Sequence, residues 1–145
     1  MDIRPLFVRG IAAACMASAL VACASAPVAL PANVHLHSKS AARVVPMPRS
    51  NNAAPAIEAI DLSSIDVRRG QTWWGDVTTS TNVASVEIRS NLFSINVPRR
   101  SFGRFSFSLN VFDLPPIFIR AYRLRVIARN TAGEKVEEDL PFRFR

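Results

Sequence analysis

The chain has no cysteine after Cys23 and no histidine after His37. Everything beyond those points is closed to disulfides, thiolate metal sites and imidazole bases. Glycine is scarce, at 5 residues, which excludes a collagen repeat, and no phosphate-cradling glycine loop is present. Lysine is nearly absent too: of 18 cationic residues, all but Lys39 and Lys135 are arginine. No apolar run reaches the roughly 20 residues that a membrane-spanning helix needs. What is left is a hydrophobic content of 49 % spread over 145 residues, enough for one domain and its attachments.

The first 22 residues have the parts of a secretory signal. Arg4 and Arg9 supply positive charge, and an uncharged run of 12 small and apolar residues follows from Ile11 to Ala22. With no Arg-Arg pair, the general export route is expected. The run ends in Leu20-Val21-Ala22-Cys23, which resembles the lipobox of bacterial lipoproteins. That resemblance implies diacylation of the Cys23 thiol, cleavage before it and acylation of the new amino group. Two or three acyl chains anchor stably where one would be marginal. Ala24 stands where aspartate would imply retention in the inner membrane, so a host with two membranes is expected to carry the protein on the outer one. The alternative is an ordinary secreted or periplasmic protein, cut after Ala22-Cys23-Ala24.

Residues 23–56 show no sustained period of 2 or 3.6. Pro27, Pro31, Pro46, Pro48 and Pro55 interrupt any helix, while Lys39, Arg43 and Arg49 stand without an acid. This composition predicts a flexible, disordered tether. His35 and His37 fall within it, and with no third ligand nearby no metal site is expected.

From Ile57 to Arg145 the pattern becomes short alternating runs between turn signals, which predicts an all-β antiparallel sandwich. Seven strands are expected, over 57–62, 71–79, 83–89, 92–97, 104–112, 119–129 and 135–144. The last two read as a hairpin around Asn130-Thr131-Ala132-Gly133. A five-residue loop there would pair Arg125 with Glu137 and Arg123 with Asp139, and would leave Glu138 on the inward face.

Tyr122-Arg-Leu124-Arg-Val126-Ile-Ala128-Arg-Asn130-Thr-Ala132-Gly133 resembles the sixth strand and following turn of bacterial immunoglobulin-like domains. Gly75-Asp-Val77 and Asn82-Val83-Ala84-Ser85-Val86-Glu87 resemble the second and third strands of the same family. The resemblance implies a seven-stranded immunoglobulin-like sandwich over 57–145, with Tyr122 making a corner hydrogen bond. The chain departs from antibody domains in having no disulfide pair and no Trp in the third strand.

No Ser lies in a Gly-x-Ser-x-Gly elbow, and the sole acid–base grouping open to the sequence is Asp61 and Asp66 with Asp113. Each reads more simply as a strand-end or loop residue, so no catalysis, cofactor or metal is expected. Two features point to binding instead. The turn at Pro98-Arg99-Arg100-Ser101-Phe102-Gly103-Arg104 combines Arg99, Arg100 and Arg104 with Phe102, a set that suits anionic lipid or glycan or, more simply, a soluble basic turn with Phe102 packed inward. Trp73 and Trp74 point to opposite faces of one strand, so either one of them is open to stacking on a sugar or filling a partner's pocket, or one is core and the other lies under the tether or the first strand. The expected partners are the membrane, through lipidated Cys23, and an envelope protein or glycan. The net charge of +7 does not imply nucleic acid, because part of it sits in the signal and the tether.

Overall fold

Alternating apolar and polar residues satisfy both water and the backbone by pairing into sheets with one face covered. The computed structural model describes residues 29–112 and 116–145, so the signal segment, Cys23 and Asp113 lie outside the described residues. Ten strands are present among them: β1 (Val34–Leu36), β2 (Ile57–Leu62), β3 (Asp66–Val67), β4 (Thr72–Thr79), β5 (Val83–Arg89), β6 (Ser94–Val97), β7 (Arg99–Ser101), β8 (Arg104–Asn110), β9 (Ala121–Asn130) and β10 (Lys135–Phe144). A four-residue helix, α1 (Ser40–Arg43), follows β1.

The strands form two five-stranded sheets, ordered β1-β2-β4-β8-β7 and β3-β10-β9-β5-β6. Stripped of β1 and β3, those orders are the A-B-E-D and G-F-C-C′ arrangements of an immunoglobulin-like sandwich. The all-β immunoglobulin-like reading therefore holds. The seven expected strands are all present, and β1, β3 and β7 are short additions. The pairings of β1 with β2 and of β3 with β10 are parallel, at the sheet edges.

The core is the sum of the two inner faces. Trp73 and Val77 of β4 and Phe105 and Phe107 of β8 meet Val86 and Ile88 of β5, Leu124 and Val126 of β9, and Leu140 and Phe142 of β10. Each fully buried side chain of this size contributes about 1.5–3 kcal/mol of transfer free energy. Gly75 is required in the middle of β4. A Cβ there would lie 2.6 Å from Phe107 Cε1 and 2.8 Å from Leu62 Cδ2. The missing side chain is the space that lets the Phe107 ring close on Trp73, with ring centroids 4.7 Å apart.

Two expectations are corrected. The hairpin register differs by two residues: Arg125 stands opposite Asp139, and Arg123 opposite Pro141. The loop is shorter than expected because Asn130 closes it. The Asn130 N–H donates to the Glu134 carbonyl at 3.0 Å, and the Glu134 N–H donates to Asn130 Oδ1 at 2.9 Å. Gly133, at φ +87°, takes the left-handed position such a turn demands. Glu138 does face inward, where it is half-buried and accepts a hydrogen bond from Asn33 Nδ2 at 3.4 Å.

The second correction concerns the tether. Residues 29–56 are part of the fold, as a strap laid over the outer face of the first sheet and its upper end. Ala41 is fully buried. Its N–H donates to Asp61 Oδ2 at 2.7 Å, and its carbonyl accepts from Thr78 Oγ1 at 2.5 Å. Further along, Asn82 Nδ2 donates to the carbonyls of Ser50 and Ala53, and Asn130 Nδ2 also reaches Ala53. The strap lacks periodicity because its backbone is satisfied by side chains of the sandwich and by only a short ladder of its own.

Candidate binding surfaces

The expected binding residues separate once placed on this frame. Trp73 points inward and is 2 % exposed, its Nε1–H donating to the Ser64 carbonyl at 3.0 Å. It packs edge-on against Phe93 and Phe107 and tilted against Phe142, which withdraws it from any sugar-stacking role. Trp74, on the opposite face of β4, is half-buried.

Arg104 is likewise withdrawn. Its guanidinium donates to the carbonyls of Ala41, Ala42 and Val44 at 3.3, 3.0 and 2.9 Å, so it caps α1 and clamps the strap. Arg99 and Arg100 of β7, and Phe102 of the turn between β7 and β8, remain at the surface. Phe102 is 72 % exposed, with the Arg99 guanidinium 4.4 Å from its ring centroid. Arg100 donates to Ser106 Oγ at 2.7 Å. Gly103 makes this turn possible: its φ is +68°, and a Cβ would lie 2.5 Å from the Thr79 carbonyl and 2.6 Å from Pro46 of the strap.

Asp61 and Asp66 are not brought together, because β2 and β3 belong to different sheets. Asp61 is buried beneath α1 with Oδ1 unpartnered among the described residues. Across the strand pair it stands opposite Asp76, whose carboxyl is pushed above the usual range by burial and then by Asp61, against the pull of Arg100 and Lys39. Asp66 is exposed and pairs with Arg145 at 3.3 Å. His35 is registered with Asp61 in β1, and among the described residues no grouping of three metal-ligating side chains exists.

Tyr122 sits at the start of β9 with its hydroxyl donating to the Phe118 carbonyl, four residues upstream, at 2.9 Å. This is the corner bond the family resemblance implies. Arg120 adds Nε–H to the same hydroxyl at 3.1 Å and lies over the ring, 5.2 Å from its centroid.

The surface that sequence reading missed starts at that arginine. A groove of about 800 Å³ lies between the turn after β5 and the first half of β9. Arg89, Arg120, Arg123 and Arg125 line it together with Ser90 and Asn91, and no acidic side chain does. Arg89 and Arg125 are directly opposed across β5 and β9. That repulsion is relieved from outside the groove: Arg89 reaches Glu87 at 2.7 Å, Arg125 reaches Asp139 at 2.9 Å and Glu137 at 3.3 Å, and Arg123 reaches Asp139 at 3.4 Å. Hydrogen bonds from Ser94 and Arg129, joined by Arg89, hold the Glu87 carboxyl well below its ordinary range, at about 2. Asp139 is lowered chiefly by its bond from Arg125, and Glu137 by its bond from Lys135. The alternation of Arg123 and Arg125 along one face was a legible signal, but the arrival of Arg89 and Arg120 beside them was not.

No family model matches the sequence, and no curated protein matches it either. Among solved structures, the chain is similar to fibronectin(III)-like modules of Clostridium thermocellum CbhA, at 15 % identity and a TM-score of 0.40 over 59 % of this chain and 93 % of that one. It is also similar to superoxide reductase (neelaredoxin) from Ignicoccus hospitalis, at 14 % identity and a TM-score of 0.38 over 64 % and 81 %. Murine CRIg is similar at 13 % identity and a TM-score of 0.35, over 64 % of this chain and 98 % of that one.

Proposed function

We propose that this chain is a non-catalytic, lipid-anchored protein of the bacterial cell envelope whose immunoglobulin-like sandwich mediates protein–protein interaction. The observation that carries the interaction is the tip between β7 and β8, where Phe102 stands in solvent with Arg99 stacked on it. An aromatic ring and an arginine are the residue types that dominate binding at interface centres. The anchor rests on the lipobox-like segment ending in Cys23. Docking of the strap shortens the expected leash: five residues separate Cys23 from Ala29, and the six chain steps between them reach at most about 22 Å. The sandwich is then held close to the bilayer.

The test is a photo-cross-linker at position 102 in intact cells of the native host. A discrete cross-linked protein that disappears with Arg99→Ala is expected, and no adduct at 102 against adducts elsewhere would overturn this surface. For the anchor, Cys23→Ser is expected to release the protein from the membrane fraction and to remove the lipid mass. The alternative, a module for glycans or anionic polymers, keeps one specific observation in its favour, the half-buried Trp74 on the outer face of β4. Its mark would be glycan binding lost in Trp74→Ala.

A further inference from the structure

We propose that the arginine-lined groove is a site for the phosphate headgroups of anionic lipids in the leaflet that carries the anchor. The proposal rests on the lipid-anchor reading for its geometry, and three observations bear on it. The first is charge. Arg89, Arg120, Arg123 and Arg125 converge on one groove, and no carboxylate among the described residues pairs with Arg120. The three acids that serve the others are shared: Glu87 also holds Arg129, and Glu137 also holds Lys135. Five cations of this face therefore draw on three carboxylates while Arg120 draws on none of them, and the excess is open to an anion. Guanidinium forks match phosphate oxygens in pairs, which suits this ligand over a lone halide.

The second observation is the apolar rim. The connection from β8 to β9 ends at Arg120 and carries Phe112, 81 % exposed, Ile117, 74 % exposed, and Ile119, 53 % exposed. Ile117 and Ile119, within three residues of Arg120 along the chain, set large apolar side chains next to the arginines, the composition of a surface that rests in the headgroup layer, with cations at the phosphates and apolar groups at the acyl boundary.

The third is position. Ala29, Leu30 and Pro31 line a second cavity, of about 410 Å³, together with Arg123, Asp139, Leu140 and Pro141. The chain thus joins the sandwich beside Arg123, at most about 22 Å along the backbone from Cys23. An acylated Cys23 would bring the groove to the leaflet surface. The Arg99–Phe102 tip lies at the other end of β8, seven residues or about 23 Å away. One end faces lipid and the other is left for a partner.

The experiment uses the mature chain carrying Cys23→Ser, which has no acyl group, and vesicles of phosphatidylcholine with and without phosphatidylglycerol. Flotation is expected with the anionic vesicles alone and to weaken as salt rises. Arg120→Ala is expected to weaken binding about fivefold, and the Arg120→Ala/Arg123→Ala pair by about 25-fold, at the roughly 1 kcal/mol that each surface cation contributes. Arg99→Ala, at the far end, is expected to change nothing. Equal binding to both vesicle types, an equal loss with Arg99→Ala, or displacement by millimolar inorganic phosphate without lipid preference would each overturn the proposal. Because the variant has no acyl chain, its vesicle binding does not depend on whether native Cys23 is modified. If Cys23→Ser leaves fractionation in cells unchanged while anionic vesicles are still bound, the anchor reading fails and the headgroup site stands.

Discussion

Replacing Glu87 by Gln removes the charge on which the outer face of the second sheet is organised. Its Oε1 accepts from Ser94 Oγ at 2.5 Å and from Arg89 Nε at 2.8 Å, and its Oε2 accepts from Arg129 Nη1 at 2.9 Å. These bonds lower the carboxyl from 4.5 to about 2. A difference of that size corresponds to at most about 3 kcal/mol, at roughly 1.4 kcal/mol for each pH unit. The side chains of Arg89 and Arg129 are 54 % and 34 % exposed, so water screens a good part of it. A contribution of about 1–2 kcal/mol is expected. The sign follows from the direction of the shift. A carboxyl lowered by folding stabilises fully above its unfolded value, and that stability drains as pH falls from about 4.5 to about 2. Urea unfolding of wild type and Glu87→Gln at pH 7, 4 and 2.5 reads this directly, with the midpoint difference converted through a common slope. The gap should be largest at pH 7, begin to narrow at pH 4 and fall to roughly a quarter of its full size at pH 2.5. High salt at pH 7 should also shrink it. A gap that is absent at pH 7, or as wide at pH 2.5 as at pH 7, would refute the assignment of this carboxylate as the organising charge.

Gly75→Ala should destabilise by about 1–3 kcal/mol, since the new methyl must displace the Phe107 ring or Leu62; an unchanged thermal midpoint would show that β4 has slack there. Arg104→Ala should free the strap around α1, seen as faster amide exchange over residues 40–44 with β9 and β10 still protected; loss of protection throughout would show that the strap and sandwich open as one unit. Tyr122→Phe keeps the ring and deletes the bond to the Phe118 carbonyl, for an expected loss of about 1 kcal/mol in chemical denaturation. Acrylamide should quench one of the two tryptophans readily, and Trp74→Phe should abolish that quenchable fraction while Trp73→Phe leaves it.

The local features of the fold were legible because they are properties of short chain segments. β2, β5 and β10 begin and end at the residues where the alternation does. Gly133 marked its turn, and Tyr122 its corner. Strand-end positions differed by a residue or two elsewhere, as at β4 and β9, where flanking residues carry no alternation of their own. For the surfaces, alternation placed Trp73 and Trp74 on opposite faces without saying which face is the core. That depends on which sheet lies across from β4, a fact no neighbouring residue encodes.

What the sequence by itself determined is the class of the fold and the inventory of its chemistry. Period-2 alternation over seven segments admits a sandwich, and the absence of His and Cys beyond the first 37 residues narrows what any site can be made of. Tertiary structure decided the rest by long-range pairing. It laid residues 29–56 on the sandwich, because Asp61, Thr78, Asn82 and Arg104 offer partners to a backbone that has few of its own. It turned Arg104 from a surface charge into a clamp. It also set β5 beside β9 in the one register that puts Arg89 across from Arg125, and so gathered arginines from two separate segments into one groove. Alternation is a local property of the chain. Which distant charges meet is settled only when the sheets close.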